Sequence, residues 1–91
     1  MIVLLKSCGN PDYGQHPNKE LFGVGKRWVT IASFKEASEV CSKYITDNEL
    51  GSGNWAGGVI VENGNAIARV SYNGRVWEGG EYHPDAKEIT W

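Results

Sequence analysis

Two Asn-Gly dipeptides, Asn63-Gly64 and Asn73-Gly74, constrain this chain more than any other feature, because each joins runs of alternating apolar residues. A type I′ hairpin turn needs positive φ at both central positions, and Asn followed by Gly tolerates that best. Two-residue turns at both sites predict a three-stranded meander. Glu62 then lies opposite Asn65, Val61 opposite Ala66 and Val59 opposite Ala68; in the next hairpin Tyr72 lies opposite Arg75 and Val70 opposite Trp77. Because side chains alternate along a strand, this register also assigns faces. Val59, Val61, Ala66, Ala68, Val70, Tyr72 and Trp77 make the face expected to receive a helix. Ile60, Glu62, Ile67, Arg69, Ser71, Val76 and Glu78 make the other, an apolar island of Ile60, Ile67 and Val76 rimmed by charge.

The helix is written just upstream. Ser33 followed by Glu36 is a capping box, in which the serine oxygen accepts a first-turn N–H and the glutamate reaches back. Phe34, Ala37, Val40, Cys41, Tyr44, Ile45 and Asn48 recur at three- and four-residue spacing, a stripe that faces a core. The helix is expected to end between Asp47 and Leu50, ahead of Gly51-Ser52-Gly53. Before it, Arg27 to Ala32 reads as a strand, and residues 2 to 6 as a short apolar run. The fold class is therefore α+β: a four- or five-stranded mixed or antiparallel sheet with a β-α-β-β-β core and one amphipathic helix on one face. Lys87 to Trp91 alternates weakly and would add an edge strand.

Ninety-one residues make one domain, 1–91, with a helix-plus-meander unit at 33–78. Four Trp, four Tyr and two Phe, each able to bury roughly 150–250 Å², supply a core without disulfides. Residues 8–26 are dense in Gly, Pro and Asn and predict a long irregular excursion, a kind of segment that in small domains usually carries function. The opening apolar run is too short for a membrane span and lacks the marks of a secretory signal, so a cytoplasmic protein is expected. A formal charge of −2 argues against non-specific nucleic-acid binding.

No catalytic or metal-binding motif stands out. His16 and His83 each precede a proline, and with Cys8, Asp12 and Asp85 they lack the spacing of a zinc site. Cys8 with His16 or His83 would be a thiol and a base without an orienting group, and the glycine-rich stretch 51–58 follows a helix where a phosphate loop must precede one. No cofactor is expected. The aromatic residues carry more: Tyr13, His16, Phe22, Arg27, Trp28 and Trp55 are the expected lining of a ligand site beside the excursion. Ile60, Ile67, Arg69 and Val76 are the expected interface of a homodimer, an apolar centre with a charged rim.

The run Ser33-Phe-Lys-Glu-Ala-Ser, Leu50-Gly-Ser-Gly-Asn-Trp-Ala-Gly-Gly58 and Ile67-Ala-Arg-Val-Ser-Tyr-Asn-Gly-Arg-Val-Trp77 resembles the small uncharacterised proteins encoded by integron gene cassettes and other bacterial mobile elements. The resemblance covers about half of the chain, most of it in the last segment. It implies a bacterial accessory protein and supplies no functional residues. The function expected from these readings is a non-catalytic module that binds a small molecule or a protein. The alternatives are a small hydrolase or transferase that uses Cys8 or a loop histidine, and a factor that stacks single-stranded nucleic acid on its aromatic residues.

Overall fold

A computed structural model describes residues 1–10, 13–16, 19, 21, 24–81 and 83–91. Phe22, Asp12 and Tyr82 lie outside the described residues. The elements in chain order are β1 (Ile2–Leu5), β2 (Arg27–Thr30), α1 (Phe34–Asp47), a single 3-10 turn (Ser52–Asn54), β3 (Val59–Glu62), β4 (Asn65–Val70), β5 (Val76–Glu78) and β6 (Glu88–Ile89). Among the described residues the sheet has six strands in the order β2-β1-β3-β4-β5-β6, and every neighbouring pair is antiparallel. The class is α+β, with more strands than the four or five expected. The additional pairing comes from both ends of the chain: β1 inserts between β2 and β3, and β6 adds to β5.

The helix forms as its sequence dictates. Ser33 Oγ accepts the Glu36 N–H at 3.1 Å, and Glu36 Oε1 accepts the Ala32 N–H at 2.9 Å. Ala37, Cys41, Tyr44 and Ile45 are the buried stripe. Its end differs in mechanism from expectation: Glu49, at φ 53, turns the chain in the left-handed region before any glycine is reached. The Glu49 N–H donates to Thr46 O at 3.2 Å and the Leu50 N–H to Ile45 O at 2.9 Å. These are the two bonds of a Schellman cap, and buried Leu50 supplies its apolar contact.

The two Asn-Gly turns differ. Asn63 (φ 51) and Gly64 (φ 80) both take positive φ, as a type I′ turn requires, and Val61 faces Ala66 and Glu62 faces Asn65. Beyond them a β-bulge at Ile67 shifts the pairing, so that Ile60 faces Ala68 and Val59 faces Arg69. In the second hairpin Gly74 alone of the pair has positive φ (84). The Gly74 N–H donates to Ser71 O at 2.9 Å and the Ser71 N–H to Arg75 O at 2.8 Å, which is a longer loop than a two-residue turn. Val70 consequently pairs with Val76 and Arg69 with Trp77.

A one-residue slip exchanges the faces of a strand. Ile60 and Val76, expected at an outer interface, have no exposed surface and lie in the core beneath α1 with Val3, Leu5, Ala68 and Val70. Ile67 occupies the bulge and packs partly buried against that core. Arg69 stays on the outer face. Val59, Val61, Ala66 and Trp77, expected under the helix, join it there. Tyr72 sits in the turn instead of on a strand and donates to Leu50 O at 3.1 Å. Gly58 shows how tightly the sheet closes, because a Cβ there would stand 2.2 Å from Val70 O.

Candidate functional site

Cys8 and Gln15 of the 8–26 excursion are pinned to the 3-10 turn by one residue. Asn54 Nδ2 donates to Cys8 O at 3.0 Å and to Gln15 Oε1 at 3.1 Å, and the Cys8 N–H donates to Asn54 O at 2.9 Å. Ser7, fully buried, accepts the Leu21 N–H on its hydroxyl at 3.0 Å and so anchors the returning limb. Trp55 is structural in the same region: its indole N–H reaches Val70 O at 3.0 Å and its ring lies 6.0 Å from that of Tyr44, closing one end of the helix–sheet interface.

The residues expected to line a ligand site do not converge on one place. Tyr13 and His16 are exposed on the excursion, Arg27 is on the helix side of β2, Trp28 is on the opposite side of the same strand, and Trp55 is at the interface end. The thiol of Cys8 donates to Gly53 O at 3.4 Å. Among the described residues no three of His, Cys, Asp and Glu are grouped so as to hold a metal ion.

A different constellation emerges on the outer face. Strand register aligns Val59, Arg69, Trp77 and Glu88 in one row across β3 to β6, and sets Leu4 opposite Trp28 on the same face across β1 and β2. The helix covers the other face. Gly80, whose Cβ would stand 2.5 Å from that of Ala66, marks where the connection after β5 folds back onto part of the outer face.

At one end of the row lies a shallow hollow of about 330 Å³, lined by Arg69, Ser71, Tyr72, Asn73 and Trp77. Arg69 and Trp77 are directly opposed in the β4–β5 ladder, so a guanidinium and an indole are fixed side by side by backbone register. The indole is held by its edge, its N–H donating to Ser71 Oγ at 3.1 Å, and the Ser71 hydroxyl in turn faces the Asn73 amide oxygen. Asn73 Oδ1 also accepts the Arg75 N–H at 3.3 Å. Such a site offers an aromatic platform, a permanent cation and hydroxyl and amide groups. Among the described residues its lining includes no general base and no activated nucleophile.

Of these lining residues, sequence reasoning placed Arg69 on the correct face and sent Tyr72 and Trp77 to the core. The signal that distinguishes the two turns is present: Ser71 at the first position and Gly74 at the fourth are the preferences of a type I turn, which closes with a bulge at the glycine. Comparison of the chain with protein-family models, with curated proteins and with solved structures finds no match.

Proposed function

We propose that the chain is a non-catalytic binding module that holds a small planar ring bearing an anionic group against Trp77 and Arg69. In keeping with the resemblance noted above, we read it as an accessory protein of a bacterial mobile element. The observation that carries the binding reading is the register-fixed opposition of Arg69 and Trp77 beside Tyr72 in one hollow. Stacking on the indole contributes apolar and dispersion energy, and the guanidinium selects for a carboxylate or phosphate through a charged hydrogen bond.

The test follows the Trp77 indole N–H by proton–nitrogen NMR, with Trp77→Phe identifying the resonance. Indole-3-acetate is titrated against neutral indole-3-acetamide, and AMP against adenosine, which separates the carboxylate source from the phosphate source. One of the two anions is expected to bind about tenfold more tightly than its neutral counterpart, the value of one charged hydrogen bond. Arg69→Met should erase that difference and retain weak binding of the ring. No movement of the Trp77 signal with either anion at millimolar concentration, or equal shifts from charged and neutral partners, would overturn the reading.

A further inference from the structure

The open edge of the sheet at β2 is a second surface, separate from the β4–β5 hollow. Its chemistry follows from hydrogen-bond parity. The Ile31 N–H donates to Met1 O at 2.9 Å, so odd-numbered residues of β2 direct their backbone groups at β1. An independent bond agrees: Leu4 O accepts the Gly58 N–H at 2.7 Å, so Leu4 points at β3 and its ladder partner Trp28 points the other way. Trp28 and Thr30 therefore present two N–H and two C=O groups to the outside of the sheet.

The side chains on this edge do not hide it. Arg27, Trp28 and Thr30 are exposed, Trp28 to 46%, and the strand contains neither proline nor a bulge. Charge is distributed unevenly along it. Lys26 and Arg27 stand at its start, and beyond its end the exposed Glu36 and Glu39 of α1 outnumber the exposed Lys35. An edge that is basic at one end and acidic at the other is complementary to itself when reversed.

We infer that β2 pairs antiparallel with β2 of a second copy of this chain, joining two sheets into one of twelve strands. A two-fold axis perpendicular to the sheet keeps helix faces on the same side, so only residues of like parity can stand opposite one another. With Val29 opposite the partner's Val29, Trp28 falls opposite the partner's Thr30 and Thr30 opposite the partner's Trp28. That register pairs all four outward groups of each β2. It also sets Arg27 opposite the partner's Ile31, beside the start of the partner's helix, where Glu36 lies. The hollow of about 170 Å³ between α1 and β2, lined by Arg27, Val29, Val40 and Lys43 among others, then faces the partner's helix instead of solvent.

The decisive experiment combines solution mass by light scattering, from micromolar to millimolar protein, with amide hydrogen exchange. The mass is expected to rise with concentration from one 10.0 kDa chain to two. Over the same range the Trp28 and Thr30 amides should become protected, while the Val29 amide, bonded inside the sheet, is protected throughout. Thr30→Pro removes only an outward-pointing donor and should hold the protein monomeric and folded. Arg27→Glu should weaken association at least tenfold, and adding Glu36→Lys should restore it. A single-chain mass at millimolar concentration, or a dimer whose Trp28 and Thr30 amides still exchange freely, would overturn the inference. Neither result touches the ligand test, which reads a resonance on β5.

Discussion

Cys41 has no exposed surface, and desolvation pushes its thiol up to about 12 from an ordinary 9.0. The folded chain therefore holds this proton where the unfolded chain has lost it. Stability from that difference is fully present below about pH 9 and is lost as pH rises towards 12. Urea unfolding of the wild type should weaken across that interval by up to about 1.4 kcal/mol per pH unit. In Cys41→Ala, which is less stable at neutral pH because it leaves a cavity, that part of the slope should vanish; an unchanged slope would assign alkaline sensitivity to other groups. Cys41 was legible as a small apolar residue on the helix stripe, since its spacing alone places it there. Trp77 was not, because the side of the sheet it occupies depends on one residue of loop length.

At the scale of elements, α1 carries two caps of opposite quality. Ser33 is a favoured N-cap whose hydroxyl satisfies a first-turn donor, so Ser33→Ala should cost about 1 kcal/mol. At the other end Glu49 adopts φ 53, a conformation glycine accepts without a Cβ penalty. Glu49→Gly should therefore stabilise the protein by about 0.5–1 kcal/mol, despite the greater freedom it gives the unfolded chain. Thermal unfolding of the two variants checks both signs, and a destabilised Glu49→Gly would show that its side chain contributes more than its backbone strain removes. The N-cap could be read from Ser33 and Glu36 because it is a local pattern. The C-cap could not be assigned to Glu49, because its left-handed turn is enforced by the burial of Leu50 and not by local preference.

The described residues make a two-layer structure, with an inner sheet face under α1 and an outer face that no helix among them covers. Stability should be correspondingly one-sided. Val3 has no exposed surface and packs in the core, so Val3→Ala should cost about 2–3 kcal/mol through lost transfer energy and a cavity. Leu4, the adjacent residue on the outer face, is half-buried, so Leu4→Ala should cost about 1 kcal/mol although it removes more carbon. Urea midpoints of the two variants decide the matter, and equal losses would mean that the outer face is covered as fully as the inner one.

The sequence by itself determined the helix, its N-cap and buried stripe, the first hairpin turn and the α+β class, because each rests on spacing within a few residues. Tertiary structure decided the insertion of β1 between β2 and β3, the pairing of β6 and the slip that moved Ile60 and Val76 inward and Trp77 outward. The physical reason is that side chains alternate along a strand, so one residue of loop length at Asn73-Gly74 decides whether Val76 or Trp77 faces the helix. Ala37 and Cys41 of the helix share one close-packed core with Val70 and Val76, whereas an indole is accommodated more readily on the uncovered side.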